Sequence, residues 1–392
     1  MRRKWRYVLL LLLVMTGCVS GADTQPETID IGQIQFDTSE KDVGLETMLS
    51  NVSYDEKDGV VYLIPASTSW IYYWDKESGV SGKLCGRPEC EHEGVGCNAH
   101  TNGMNAGLQV YGEHVYFMID NGVLMRMKLD GTEREIVRPV KKLIGANGYW
   151  IIHRDKVYTT VMEQQVEEGE RYDELYIYQY DLEGNEEGKL LLQQGRYEKL
   201  PTLRWRYKGD YAYFMVQSGG VGERSRQLYI YDIENDSLHK LIDVQKDKWL
   251  VMEYRVHEKE ILLLEKSQAT LRLIRYDLQS GEETEEFTYP NAYRYSAYLS
   301  ADEEKIILYD FLWDPEARWA YLLNREGEVE GEWTLPPGDP MWIYDSTEEG
   351  FILYDSDRWE DDSDTIGYRL WQFPYDGGEA EIVLSLEVNF RS

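Results

Sequence analysis

The chain has 392 residues, of which 41 are Lys or Arg and 72 are Asp or Glu, so its net charge at pH 7 is −31. An acidic surface of this kind repels phosphate backbones, and we therefore expect no binding to nucleic acids. Hydrophobic residues make up 42% of the chain, an ordinary share for a globular protein with a sizeable core.

Residues 1–17 predict a signal peptide. Four basic residues between Arg2 and Arg6 precede an apolar run that ends at Met15 and is too short to span a bilayer. The run stops at "MTGC", and small residues directly before Cys18 resemble the lipobox of bacterial lipoproteins. The resemblance implies that Cys18 is diacylated and becomes the new N-terminus. The alternative is an ordinary secretory signal with an incidental cysteine.

A polar segment over residues 18–43 shows little hydrophobic periodicity. We expect it to be a tether that holds a folded domain, residues 44–392, away from the membrane. The protein would then lie at the extracytoplasmic face of the bacterial cell membrane, and its lipid anchor at Cys18 would be its contact with the bilayer.

A unit of two strands and a turn repeats through the rest of the chain. The first two copies read "DGVVYLI" with "WIYYWDKESG", and "GEHVYFM" with "VLMRMKLDGT". The second strand of each unit ends in a turn that opens with Asp or Asn, at spacings of 45 to 55 residues. These turn residues are Asp75, Asp130, Asp181, Asp232, Asp277, Asn324 and Asp376. Seven copies of one unit are the simplest explanation.

Each unit has room for two further strands. "GLQVYG" at residue 107 precedes one pair, and "KLLLQQG" at residue 189 follows another. Four short antiparallel strands that repeat in this way predict an all-β fold, a β-propeller of four-stranded blades. We expect seven blades, with six or eight as alternatives because end blades are often built from both termini.

Aromatic residues occupy recurring positions in the units. Tyr62, Tyr116, Tyr158 and Tyr213 stand at the same place in four copies, and we expect them to fill the space between blades. Tryptophans in irregular loops would be better platforms for sugars. The candidates are Trp70, Trp313, Trp319, Trp342 and Trp359.

A cysteine-rich and histidine-rich insertion, "LCGRPECEHEGVGCNAH", occupies residues 84–100 between the first two units. Apart from the predicted lipidation site, the chain has three cysteines, and an odd number cannot all pair within one chain. With one histidine they give Cys-x4-Cys-x-His-x4-Cys, the ligand types of a closed structural zinc site. The sequence therefore predicts one structural zinc bound by Cys85, Cys90, His92 and Cys97.

The same residues also allow alternatives to the zinc site. One disulfide, Cys85 to Cys97 or Cys90 to Cys97, would leave the third thiol buried. A reactive cysteine is another alternative, and His100 could replace His92 as a ligand. If four protein ligands close the metal site, no coordination position is left for a substrate, so the site would order a loop.

The lipobox, the phrase closing each strand pair (approximately Y-x-D-x-x-G) and "LCGRPECEHEGVGCNAH" together resemble a group of cell-surface lipoproteins of clostridial Gram-positive bacteria. The resemblance implies a β-propeller of the TolB/YWTD type over residues 1 to about 390. It implies no activity.

No catalytic residue is predicted. The chain contains neither a G-x-S-x-G nor an H-E-x-x-H motif. The densest acidic run, "YDSDRWEDDSDT", lacks the glycine and terminal glutamate of an EF-hand loop, so a solvated loop is favoured over a calcium site. Its candidate ligands are Asp355, Asp357, Asp361, Asp362 and Asp364.

Two functions follow from these features. The favoured one is a lipid-anchored binding or scaffold protein that presents a propeller to a glycan, a peptide or a protein. The alternative is an extracytoplasmic polysaccharide hydrolase or lyase that uses carboxylates at the propeller channel, because propeller glycosidases assemble their carboxylates from different blades.

Overall fold

The structure is a computed structural model, and it describes residues 43–45, 53–65, 68–102, 107–119, 122–141, 150–167, 170–184, 186–197, 201–219, 224–257, 259–290, 295–300, 304–310, 319–335, 342–346, 349–357 and 365–389. The predicted signal peptide, Cys18 and the tether up to residue 42 lie outside these ranges, so these assignments stay predictions. Within these ranges no helix is long and apolar enough to cross a membrane.

The described residues form seven antiparallel sheets, six of four strands and one of five, and each sheet contains the four strands of one blade of a β-propeller. The predicted fold class is confirmed, and the six- and eight-bladed alternatives are wrong. Each blade comes from one continuous segment, since blade 1 lies within residues 53–83 and blade 7 within residues 342–389. Neither end blade is therefore assembled from both termini.

The strand bounds, blade by blade, are as follows. A separate first strand is β1 (Val43–Leu45). Blade 1 contains β2 (Ser53–Lys57), β3 (Val60–Ile64), β4 (Tyr72–Asp75) and β5 (Ser81–Lys83). Blade 2 contains β6 (Leu108–Tyr111), β7 (His114–Ile119), β8 (Val123–Lys128) and β9 (Glu135–Pro139). Blade 3 contains β10 (Trp150–His153), β11 (Lys156–Glu167), β12 (Glu170–Asp181) and β13 (Lys189–Tyr197).

The remaining blades have longer outer strands than blade 1. Blade 4 contains β14 (Thr202–Lys208), β15 (Tyr211–Ser218), β16 (Arg224–Asp232) and β17 (Ser237–Asp247). Blade 5 contains β18 (Leu250–Val256), β19 (Glu260–Lys266), β20 (Thr270–Asp277) and β21 (Glu283–Pro290). Blade 6 contains β22 (Tyr295–Leu299), β23 (Lys305–Asp310), β24 (Trp319–Asn324) and β25 (Val329–Thr334). Blade 7 contains β26 (Trp342–Ser346), β27 (Gly350–Asp357), β28 (Thr365–Pro374) and β29 (Glu381–Asn389).

The first strands of consecutive blades lie side by side and form the inner wall of the ring. The Asp55 carboxylate on β2 accepts a hydrogen bond from the Val110 backbone N–H on β6, at 2.7 Å. The Gln109 amide on β6 donates to the Ile152 carbonyl at 2.8 Å and accepts from the Ile152 N–H at 2.7 Å. Buried polar groups of one inner strand are thus satisfied by the next inner strand.

Seven apolar clusters of buried residues join the blades, one at each junction around the ring. Tyr62, Tyr116, Tyr158 and Tyr213 are at most 3% exposed, and each belongs to a cluster between two blades. Their predicted role is confirmed. Both faces of a blade are apolar, so each blade must pack against two neighbouring blades to bury them.

The repeated Asp or Asn has a local cause. The Asp277 side chain accepts hydrogen bonds from the backbone N–H groups of Gln279 at 2.9 Å and Ser280 at 2.6 Å. The Asn324 side chain accepts in the same way from the Glu328 N–H, at 2.8 Å. A short side chain that bonds the backbone two to four residues ahead stabilises the tight turn between the third and fourth strands.

Candidate metal centre

The insertion leaves the outer strand of blade 1 and returns to the inner strand of blade 2, and it is fastened to blade 1 by backbone hydrogen bonds. The Leu84 N–H donates to the Ile71 carbonyl at 2.9 Å, and the Ile71 N–H donates to the Ala99 carbonyl at 2.8 Å. The Thr101 N–H then donates to the Ser69 carbonyl at 2.8 Å. Both ends of the insertion are therefore held by the β3–β4 connection.

The insertion also contacts blade 2, at the turn between β8 and β9. The Asn98 side chain donates to the Gly131 carbonyl at 2.8 Å. The Arg134 guanidinium donates to the carbonyls of Cys97 at 3.0 Å and His100 at 2.7 Å. A Cβ atom on Gly131 would lie 2.8 Å from the Cys85 nitrogen, so the two segments approach at backbone distance.

Other blades make the corresponding contact with their outer strands. Arg138 on β9 donates to the Glu186 carbonyl in the last turn of blade 3, at 2.6 Å. Trp333 on β25 donates to the Gly378 carbonyl in the last turn of blade 7, at 3.2 Å. The outer strand of blade 1, β5, has only three residues. The insertion thus takes over the contact that a longer outer strand would make.

Cys85, Cys90, His92 and Cys97 come together in this insertion. One ligand atom from each residue lies within 4.8 Å of the other three. The Cys97 Sγ and the His92 Nδ1 are 3.8 Å apart. Cys97 is buried and the other three residues are half-buried, so the cluster lies just beneath the surface.

The local backbone favours a thiolate at Cys85, whereas burial opposes one at Cys97. The His92 N–H points at the Cys90 Sγ at 3.4 Å, and His92 itself has a left-handed φ of 57°. Burial raises the pKa of the Cys85 thiol, but hydrogen bonds from the backbone N–H groups of Arg87 and Asn98 outweigh it, so the pKa is lowered. Burial raises the pKa of the Cys97 thiol to about 12.

Lys83 adds a positive charge beside the thiols. Its ammonium group donates to the His92 carbonyl at 2.9 Å and lies 3.7 Å from the centre of the Trp70 ring. A site with three thiolates and one neutral imidazole around a divalent ion would carry one net negative charge. A cation held next to it stabilises that charge.

The four residues fit a tetrahedral metal ion. Zinc–sulfur bonds of about 2.3 Å place tetrahedral ligand atoms roughly 3.8 Å apart, and the ligand atoms of the cluster all lie within 4.8 Å of one another. Three sulfurs and one imidazole nitrogen are donors that suit soft or borderline divalent metals. The structure thus contains a Cys3His cluster that can hold a metal ion.

The structure also places the alternative residues. His100 lies outside the cluster, where its ring packs edge-on against Trp70 with centroids 4.7 Å apart and its Nδ1 lies 2.9 Å from the Asn102 amide oxygen. Cys85, Cys90 and Cys97 are free thiols, and no disulfide joins them.

The loop tryptophans and the acidic run give no second site within the described ranges. Trp70 is only 3% exposed, so this candidate sugar platform is buried, and Trp319 is the first residue of β24. Asp355 is fully buried and its carboxylate binds Arg369 at 2.7 Å. Side chains of Asp357 and Trp342 are not described, and Trp313, Trp359, Asp361, Asp362 and Asp364 lie outside the described residues.

Among the described residues, the Cys3His cluster is the only group of three or more His, Cys, Asp or Glu side chains that could hold a metal ion. The sequence pattern named all four members, because their spacing is short enough for one loop. The pattern gave no sign of Lys83 and Arg134, whose contacts depend on how blades 1 and 2 pack.

No protein-family model and no curated protein matches the chain. Solved structures do match. A prolyl endopeptidase superposes on 91% of this chain with a TM-score of 0.57 and 12% identity. An oligogalacturonate lyase in complex with manganese superposes on 87% of this chain, and on 97% of its own, with a TM-score of 0.53 and 14% identity. The likeness establishes the fold. The match covers 51% of the prolyl endopeptidase, so this chain spans about half the length of that protein.

Proposed function

We propose that the protein is a lipid-anchored extracytoplasmic binding or scaffold protein, whose propeller presents a surface to a glycan, peptide or protein ligand. The observation that carries this proposal is that polar side chains of the inner wall bind neighbouring blades. In the described residues these side chains form hydrogen bonds and ion pairs between blades, and this use of polar groups favours a structural wall over a catalytic site.

Glu253 on β18 illustrates this use of charge. It is 2% exposed, and its carboxylate accepts from the Arg206 guanidinium on β14 at 3.0 Å and from the Leu299 N–H on β22 at 2.6 Å. It therefore joins the inner strands of blades 4, 5 and 6. Asp55 makes the equivalent bond between blades 1 and 2.

The second candidate is a polysaccharide lyase or hydrolase, and the likeness to oligogalacturonate lyase favours it at the level of the fold. A shared fold does not transfer an activity. A test incubates the mature protein with labelled cell-wall glycans and polygalacturonate, with and without manganese, and measures both binding and product. We expect binding without turnover; steady release of unsaturated or shortened products would establish the enzyme.

The lipid anchor at Cys18 is the second part of the proposal. Two acyl chains give stable attachment to a bilayer, so the wild-type protein should sediment with membranes. The Cys18→Ala variant should lose labelling by a fatty-acid analogue and appear in the medium. Membrane association and labelling that survive this substitution would contradict the anchor.

The third part is that the metal at Cys85, Cys90, His92 and Cys97 is zinc. A closed site of this composition orders its loop, so zinc would fasten the insertion between blades 1 and 2. Mass spectrometry of the native mature protein should find about one zinc per chain. Cys90→Ala should lose it, whereas His100→Ala, whose ring lies outside the cluster, should keep it. A metal-free wild-type protein with a mapped disulfide would overturn this assignment.

A further inference from the structure

An additional strand lies on the inner wall of the ring. β1 pairs antiparallel with β14, the first strand of blade 4, and makes that sheet five-stranded. Val43 is opposite Tyr207, Gly44 is opposite Arg206 and Leu45 is opposite Trp205. The other six sheets in the described part of the chain have four strands.

The edge of β14 is a suitable partner for an extended peptide. Apart from β1, the strand that pairs with β14 is β15 alone, so the inner edge of β14 is the edge at which a further strand can pair. Buried side chains of β14 anchor this strand in the core. Trp205 is 4% exposed and Tyr207 is fully buried, and both belong to the cluster between blades 3 and 4.

β1 is shorter than every blade strand except β5, which also has three residues. A three-residue strand forms few hydrogen bonds, and each contributes only about 0.5–1.5 kcal/mol net. Its occupancy depends on the short link to β2, which gives it a high effective concentration. A free peptide of similar conformation would compete with β1 for the same edge of β14.

We infer that the inner edge of blade 4 is a binding site for an extended peptide, which in this structure is occupied by residues 43–45. The partner adds a strand antiparallel to β14, and its main chain supplies most of the contacts. This inference deepens the proposed binding function and rests on it, because it names the class of ligand and the strand that takes it.

The register and the charge restrict the peptide further. The residue opposite Arg206 is a glycine, and residues directly opposite in a sheet have Cβ atoms only about 4.5–5.5 Å apart on the same face. Arg206 is 7% exposed and is held by Glu253, so it leaves little space for a large neighbour. With a net charge of −31, the protein also favours neutral or basic ligands. The expected ligand is an extended neutral or basic peptide with a small central residue.

The test uses the full mature chain and a fluorescent peptide matching residues 41–47, with its acidic residues replaced by lysine. Gly44→Pro removes a backbone N–H from β1 and should free the edge of β14. Fluorescence anisotropy should then show binding at least about tenfold tighter than to wild type, because the tethered competitor is lost. Gly21→Pro, in the predicted tether, is the matched control and should behave as wild type.

Two further measurements make the result decisive. A peptide that carries proline in place of its glycine should not bind, and the bound peptide should slow hydrogen exchange in the fragment 202–208. Equal binding to all three proteins would overturn the inference, as would no binding to a Gly44→Pro protein with a wild-type unfolding transition. If the peptide fails but a glycan or protein ligand binds, the proposed function survives; if nothing binds, both fail.

Discussion

Single atoms decide the fit at the turns between the third and fourth strands. Gly131 in blade 2 and Gly377 in blade 7 occupy equivalent turns with similar left-handed φ angles of 77° and 80°. A Cβ atom on Gly377 meets nothing within 4 Å, whereas one on Gly131 would lie 2.8 Å from the backbone of Leu84 and Cys85. Gly377 is therefore required only by the conformation of its turn, whereas Gly131 is required by its turn and by the close approach of the insertion.

We expect Gly131→Ala to be clearly more destabilising than Gly377→Ala. The shared left-handed backbone costs about 1 kcal/mol in both variants, and the clash at Gly131 adds about 1–3 kcal/mol. Urea unfolding at neutral pH measures both free energies. Equal losses in the two variants would contradict the close approach of the insertion to blade 2.

Asp55 makes stability depend on pH. Its burial raises the pKa from 3.8 to about 6, against the opposing effect of hydrogen bonds from the Val110 and Glu56 N–H groups. Because the folded pKa lies above the unfolded one, the folded state binds the proton more tightly. The contribution of this group to stability is complete below pH 4 and is lost as the pH rises through about 6.

The Asp55→Asn variant should remove this dependence while its amide oxygen still accepts from Val110. The free energy of unfolding of the wild type, relative to the variant, should fall between pH 4 and pH 7. Urea unfolding at several pH values tests this, with Glu77→Gln at an exposed carboxylate after β4 as the control. A constant difference between wild type and Asp55→Asn would show that Asp55 does not titrate in this window.

At the scale of elements, the insertion acts as a substitute for an outer strand. β5 has only three residues, and residues 84–100 make the contact with blade 2. Backbone carbonyls of this insertion accept hydrogen bonds from the Arg134 guanidinium. Arg138 performs a comparable task between blades 2 and 3, where it donates to the Glu186 carbonyl. The two arginines differ in that only Arg134 binds the loop that carries the Cys3His cluster.

Arg134→Ala should weaken metal binding, because residues that orient a ligand loop commonly change metal affinity by about 10–100-fold. Arg138→Ala should lower stability without changing that affinity, since its bonds lie on the other side of blade 2. Competition of each purified variant with a zinc-binding dye measures the affinity, and thermal unfolding reports stability. Equal zinc affinities of Arg134→Ala and wild type would show that the contact of Arg134 with the insertion does not influence metal binding.

On the scale of the whole molecule, the ring closes by side-chain packing. Val61 and Leu63 of blade 1 share an apolar cluster with Ile352, Leu370 and other residues of blade 7. No strand of the described residues crosses between these two blades. The closing junction is therefore built like the other six, and we expect it to have similar strength.

Leu370→Ala at the closing junction and Leu273→Ala between blades 5 and 6 compare two third-strand leucines that are at most 2% exposed. Each should cost about 2–5 kcal/mol through lost burial and a cavity. Their free energies of unfolding should agree within about 1 kcal/mol. A far larger loss for Leu370→Ala would mean that the ring depends on one special junction.

Residue spacing was sufficient to predict much of the site and the fold. The seven Asp or Asn turns recur because each side chain closes a local turn, and local contacts leave a direct trace in sequence. The four cluster residues lie within thirteen positions, so one loop brings them together. Lys83, Arg134 and Gly131 left no trace, because their roles arise between segments that meet only in the folded ring.

The sequence by itself determined the blade unit and the approximate blade number, because alternating apolar residues and turn formers act over a few positions. It also determined the ligand types of the Cys3His cluster. Only the tertiary structure decided that each blade is continuous and that His100 packs on Trp70 outside the cluster. It alone also placed β1 on the inner edge of blade 4. These features depend on contacts between distant parts of the chain, and such contacts are selected by packing around the whole ring.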